Sequence, residues 1–219
     1  MNRRGFLRQA LIAISGAGML TAPVRFLLGL AHSQTSKTRV PKDTPWTALR
    51  NENPKDLDTS DLPVTPLKDF GIMGLEDYSP DLAAWRLIVD GEVDKPLRLI
   101  HAEVLDLPAV ERAVLLICPG FFANHGLWTG VSIGELLKTA GVRQGVTHVT
   151  IKGPEGPYEK VLRVPISDAQ SDTVFLAYKV NGVALPQRHG FPLRVVAEGY
   201  YGYDWVKYVY KVTADRIES

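Results

Sequence analysis

The 219-residue chain carries 25 basic and 24 acidic residues, a formal charge of +1, and 45% of its residues are hydrophobic. That length and apolar content are enough for one substantial core, so a single folded domain is expected. The balanced charge lacks the basic excess that nucleic-acid binding usually requires, and no DNA or RNA partner is expected.

The near-neutral total hides an asymmetric start. Met1–Ser33 holds Arg3, Arg4, Arg8 and Arg25 and no acid, so losing those four charges would take +1 to −3. A basic opening, an apolar stretch from Ala10 to Val24 and small residues before a polar run form the layout of an export signal. The opening "NRRGFLRQ" resembles a twin-arginine signal, a route that carries folded proteins, often with a cofactor inserted. The apolar stretch is too short and Gly-rich for a good spanning helix of roughly 20 residues. Export to the periplasm is therefore expected, with cleavage after Ser33 and retention as an anchor both open.

From Gln34 to Pro66 the chain is polar and Pro-rich without periodicity, which predicts an extended or wrapping segment. The folded body is expected over 67–219. "AAWRLIVDGEVDKPLRLI" predicts two strands about an Asp90-Gly91 turn, because Trp85, Leu87 and Val89 alternate. "HAEVLDLPA" suits a short helix ended by Pro108, and "RAVLLI" reads as a buried strand leading into Cys118. In "SIGELLKTAGV", Ile133, Leu136, Leu137 and Ala140 share a helical face between an N-cap at Ser132 and a stop at Gly141. "THVTIKG", "YEKVLRVP", "VFLAYKVNG", "PLRVVAEG" and "VKYVYKVTA" are predicted strands, with a hairpin turn at Asn181-Gly182. Many strands with few short helices predict a sheet-rich α+β domain.

Conventional site motifs are mostly missing from the sequence: no phosphate-binding Gly-rich loop, no paired thiols, and histidines scattered at 32, 101, 125, 148 and 189. The single cysteine, Cys118, excludes an internal disulfide. Following a buried strand and opening a Pro-Gly loop, it is a ligand, a nucleophile with His125 as its base, or a small buried side chain. Near the C-terminus, Arg188, His189, Arg194 and Lys207 are interleaved with Tyr200, Tyr201, Tyr203 and Trp205. Positive donors with aromatic walls suit an anionic, flat, heteroaromatic ligand.

Together these segments resemble a known family. Cys118-x-Gly120, then Trp128-Thr129-Gly130-Val131, then "LAY..NG..LP..HG.PLR" and "GY.G...VK", preceded by "WRLIVDGEVDKPL", are similar to the molybdopterin-binding domain of the sulfite oxidase family. The leader and compact size are closer to its bacterial periplasmic members, which include the methionine sulfoxide reductase catalytic subunits, than to the haem-containing oxidases. The resemblance implies a molybdenum–molybdopterin cofactor with Cys118 as the protein's thiolate ligand to the metal, consistent with the preference of soft metals for thiolates. It further implies that His189 and Arg194 contact the pterin, that Lys207 with the backbone of Trp205 and Val206 meets its phosphate, and that Phe70, Ile72 and Met73 lie in a covering loop. Tyr200, Tyr201 and His125 are expected as proton donors near the open face.

The implied activity is oxygen-atom transfer to or from a small substrate of sulfoxide or sulfite type. Electrons would pass to a separate partner, a cytochrome or quinone-linked membrane haem protein, because the chain has no C-x-x-C-H and no iron–sulfur cysteine cluster. With no room for an immunoglobulin-like dimerisation domain, a monomer is expected. Where sulfite oxidases carry arginines after the cysteine, Pro119-Gly120-Phe121-Phe122 stands here, which favours a less charged substrate. The alternatives are a non-catalytic pterin-binding module and a Cys118–His125 hydrolase, which thiol alkylation would inactivate and which would contain no metal.

Overall fold

The computed structural model describes residues 37–217, and the leader read at 1–33 lies outside the described residues. The wrapping segment comes first: β1 (Thr38–Arg39) pairs in parallel with β2 (Leu57–Asp58), with the single-turn helix α1 (Trp46–Leu49) between them. It is held by burial, not by regular structure. Val40, Leu49, Leu57 and Leu62 pack against Leu115, Ile117 and Ala123 of the body.

The body is two five-stranded sheets. Its elements in order are β3 (Leu87–Gly91), β4 (Leu97–Leu99), α2 (His101–Leu105), β5 (Ala109–Cys118), β6 (Phe122–Ser132), α3 (Ile133–Ala140), β7 (His148–Lys152), β8 (Val161–Pro165), α4 (Ile166–Gln170), β9 (Val174–Val180), β10 (Val183–Ala184), β11 (Arg194–Ala197) and β12 (Lys211–Asp215). One sheet runs β4-β3-β12-β7-β8, antiparallel except for β3 beside β12. The other runs β5-β6-β9, with β10 and β11 both pairing along β9. This is the sheet-rich α+β architecture that the sequence predicts. Among the described residues no helix is long and apolar enough to cross a membrane.

Helix α3 forms as its spacing requires. Ser132 Oγ accepts from Glu135 N–H at 3.1 Å, Gly141 ends the helix at φ +69°, and Ile133, Leu136, Leu137 and Ala140 are buried. Eight residues are marginal as an isolated helix. Burying its large apolar side chains, at roughly 1.5–3 kcal/mol each, supplies what local propensity does not. Asn181 and Gly182 both have positive φ and join β9 to β10 as a two-residue turn, as predicted.

Three segments depart from the expected elements. Strands β3 and β4 pair, but across a longer connection than an Asp90-Gly91 turn, since Val89 already faces Leu97. Asp90 and Gly91 are instead held by β12: Thr213 Oγ1 donates to Asp90 Oδ1 at 2.8 Å, and a Cβ on Gly91 would lie 2.2 Å from Ala214 O. Strand β6 follows at once where a loop is expected after Cys118, because Pro119-Gly120-Phe121 is a hairpin turn with Gly120 at φ +80°. The last predicted strand begins only at Lys211, which leaves 205–210 irregular.

Candidate active site

Strand parity decides what Cys118 faces. In a hairpin, alternate side chains take opposite faces, and residues paired across the ladder share one. Cys118 pairs with Phe122 and Leu116 with Asn124, while Ile117 pairs with Ala123 and Leu115 with His125. The first set lines a cleft of about 320 Å³, and the second packs against the wrapping segment, with His125 Nδ1 3.2 Å from Pro63 O. Cys118 and His125 thus lie on opposite faces, and the arrangement offers no Cys–His nucleophile pair. The turn after Cys118 is fixed from both sides: Phe121 N–H donates to Cys118 O at 3.0 Å, and Gly120 N–H to Arg50 O at 3.1 Å.

A loop over residues 70–75 closes one wall of the cleft. Asn124 clasps it, its Oδ1 accepting from Gly71 N–H at 3.2 Å and its Nδ2 donating to Gly71 O at 3.4 Å. A Cβ on Gly71 would overlap the Phe122 ring at 2.3 Å, so only glycine lets the loop approach this closely. Lys207 Nζ and Tyr208 Oη donate to Leu75 O at 3.3 and 3.4 Å. The β7–β8 hairpin tip completes the wall, with Tyr158 Oη donating to Asp77 Oδ1 at 2.7 Å and its ring packed among Tyr78 and Tyr208.

The floor is cationic, with Asp204 and Glu76 near enough to act on Lys160 and Lys207 without pairing with them. Arg194, 5% exposed, donates to His189 O at 3.0 Å and lies with Cζ 5.1 and 5.4 Å from the ring centroids of Trp128 and Trp205. Among the described residues Arg194, Lys207 and Lys160 form no ion pair. Burial, followed by the neighbouring Arg194 charge, lowers Lys207 to about 8; burial likewise brings Arg194 down to about 10. His189 falls to about 4, through burial first and then Arg194, and its buried Nε2 has no partner. Burial raises the Cys118 thiol, while Arg194, Lys160 and Lys207 pull it back toward the thiolate. Arg194 is the buried one of the three, and a buried cation without an ion pair is costly, so an anion in the cleft would offset that cost.

Residues 75–219 match the family described as the oxidoreductase molybdopterin binding domain. The chain belongs to this family. It is 31% identical over 167 residues to the NADH nitrate reductase of Volvox carteri, covering 63% of this chain and 19% of that one. It is 30% identical over 171 residues to the protein-methionine-sulfoxide reductase catalytic subunit of Xanthomonas campestris, 68% of this chain and 52% of that one. The uncharacterized oxidoreductase YuiH of Bacillus subtilis is 33% identical over 120 residues, 54% of this chain and 59% of its own. The chain therefore spans less than two thirds of each of these relatives. In fold it is similar to the sulfane dehydrogenase SoxCD of Paracoccus pantotrophus, with TM-score 0.60 and 20% identity over 97% of this chain and 57% of that one.

The family's cofactor fits the donors present. A buried thiol, three cations without carboxylate partners and the orphaned His189 Nε2 meet in one cleft, which matches an anionic pterin phosphate and a thiolate-bound metal. Of the residues singled out in the sequence, Cys118, His189, Arg194, Trp205, Lys207, Phe70, Ile72 and Met73 all line it. The Val206 side chain is fully buried away from it and its carbonyl accepts from Val195 N–H, while the part expected of Val206 was its backbone alone. Tyr200, which donates to Asp168 Oδ2 at 2.6 Å, and Tyr201, which stacks on Tyr203 at 5.4 Å, are not among its lining residues. Tyr203 lines it instead.

Sequence reasoning missed Asn124, Tyr158 and Lys160, which also line the cleft. For Asn124 a signal existed, because a polar residue two positions beyond Phe122 shares the face of Cys118 once β6 is recognised as a strand. Tyr158 and Lys160 arrive from a different sheet, and nothing local in the sequence marks them.

Proposed function

We propose that this chain is an exported molybdenum-cofactor oxidoreductase that transfers an oxygen atom to or from a small substrate of sulfoxide or sulfite type. The observation that carries this reading is the buried Cys118 thiol facing a cleft with three unpaired cations and an orphaned imidazole nitrogen. When bound, the molybdenum pterin supplies the two-electron chemistry. Sulfite and water would yield sulfate, two protons and two electrons; a sulfoxide would take up two of each and release a sulfide and water.

The chain's own residues do the rest. Cys118 would hold the metal as thiolate, with Arg194, Lys160 and Lys207 offsetting its charge. Lys207 and the Arg194 guanidinium would hold the phosphate and pterin, and His189 Nε2 would be free to hydrogen-bond to the cofactor. Phe70, Phe122 and Trp205 exclude water from the inner part of the cleft. Tyr208, raised to about 12 chiefly by burial, stays protonated and donates. Electrons pass to a separate haem or quinone-linked partner, and the twin-arginine leader supports delivery of the loaded, folded protein to the periplasm.

The test is metal and pterin analysis of protein produced through its native export route. About one molybdenum and one pterin per chain are expected from a single thiolate site. Properly exported protein containing neither overturns the proposal.

A further inference from the structure

The cleft has two zones, and the cofactor contacts account for only one. Buried His189, Arg194 and Trp205 line its inner part, whereas Met73, Leu75 and Tyr203 line it while remaining exposed. Large apolar side chains gathered in the open at the mouth of a cleft mark a binding surface. Of the two phenylalanines after Cys118, only Phe122 joins the lining, so the uncharged character of that turn also reaches the cleft.

Tyr203 is the member of that mouth held most firmly. It is 51% exposed, and its ring stacks on Tyr201 at 5.4 Å with 23° between the planes. Tyr201 packs in turn against the cluster that Leu115 and Ile117 form with the wrapping segment. The single turn Gly202–Asp204 that carries Tyr203 is closed by Asp204 N–H donating to Tyr201 O at 2.9 Å and Trp205 N–H donating to Gly202 O at 3.2 Å. Its first residue touches the thiol, since a Cβ on Gly202 would lie 2.7 Å from Cys118 Sγ. An aromatic ring is thus fixed one residue along the chain from the contact with Cys118, and a ring already in place lowers the ordering cost of binding.

The neighbouring charge argues for a neutral ligand at this ring. Asp204 follows Tyr203 directly and lies close enough to act electrostatically on both Tyr203 and Lys160. A carboxylate beside the ring disfavours an anion there.

We infer that Tyr203 is a specificity-determining residue, an aromatic platform at the cleft mouth that selects neutral aryl sulfoxides over small alkyl ones. A ring pair gains stabilisation beyond the area it buries, and Met73 and Leu75 add apolar surface to the same seat. The inference rests on the oxidoreductase reading above and narrows its substrate class to the uncharged alternative. Reduction of methyl phenyl sulfoxide breaks the sulfur–oxygen bond, takes up two protons and two electrons from the separate redox partner, and releases methyl phenyl sulfide and water.

The experiment uses molybdenum-loaded wild type, Tyr203→Ala and Tyr203→Phe, each first analysed for metal and pterin. Methyl phenyl sulfone and dimethyl sulfone, as unreactive analogues, are titrated by calorimetry. Wild type is expected to prefer the phenyl sulfone by roughly three- to tenfold, the range one ring pair supplies. Tyr203→Ala should abolish that preference, and Tyr203→Phe should retain it. With a reduced viologen dye as electron donor, the ratio of kcat/KM for methyl phenyl sulfoxide to that for dimethyl sulfoxide should fall by the same factor in Tyr203→Ala alone. Equal affinity of wild type for the two sulfones, or binding of neither, overturns the inference, and so does a preference that survives in Tyr203→Ala. A Tyr203→Phe variant that behaves like Tyr203→Ala would place recognition in the hydroxyl and overturn the stacking role. Loss of pterin or metal from Tyr203→Ala would assign the residue to the cofactor instead. A wild type without molybdenum fails the oxidoreductase reading itself, a result obtained before any sulfone is added. If neither sulfoxide turns over, the sulfone titration alone decides.

Discussion

On the inner face of the β5–β6 hairpin, Leu116, Cys118, Phe122 and Asn124 line the cleft; on the outer face, Leu115, Ile117, Ala123 and His125 seal the wrapping segment. Each face offers one residue type associated with catalysis, a thiol on one and an imidazole on the other. Their surroundings separate them. Cys118 meets cations and a cleft, whereas His125 is buried, its Nδ1 facing a backbone carbonyl. A pleat that alternates residue by residue turns one toward the cleft and the other toward the wrapping segment.

The largest expected effect comes from disturbing the inner face at Gly202→Val. The new side chain must displace Cys118 Sγ, because even a Cβ would sit 2.7 Å from it. Misplacing a ligand by about 1 Å can cost on the order of 100-fold in rate. Turnover by metal-analysed protein should fall by about that factor while far-ultraviolet circular dichroism is retained. Activity within threefold of wild type would show that the thiol's position is unimportant.

A smaller effect is expected on the outer face. Burial lowers the His125 pKa below its ordinary value, and contacts with the Pro63 and Leu62 carbonyls only partly oppose this. The unfolded chain therefore binds the proton first, so His125 costs no stability above about pH 6.5 and destabilises the fold as the pH falls below it. His125→Asn should flatten the decline in melting temperature between about pH 7 and 5 and leave turnover within about threefold. A hundredfold loss of turnover would instead place His125 in the active site.

The same contrast explains what was legible in the sequence. Helix α3 and the Asn181-Gly182 turn follow from local pattern, since cap, face and stop lie within a few residues of each other. Cys118, His189, Arg194, Trp205 and Lys207 were legible through spaced motifs. Strand β6 was not, because "FFANHGLWTGV" alternates poorly: its outer face is covered by the wrapping segment, so both faces carry buried residues. Missing β6 concealed the pleat that separates His125 from Cys118 and hid Asn124. Tyr200 and Tyr201 were expected near the open face, but they are not among the residues that line the cleft, and Tyr200 is tied instead to Asp168. Lys160 reaches the cleft only by tertiary packing of the other sheet.

The central claim is that the inner-face thiol binds the metal. It is tested most directly by X-ray absorption at the molybdenum edge on wild type and Cys118→Ala prepared by the same export route. The account predicts one fewer sulfur neighbour around molybdenum in the variant, even if the pterin remains bound through Arg194, Lys207 and His189. An identical sulfur count in both proteins would contradict it and return Cys118 to a packing role.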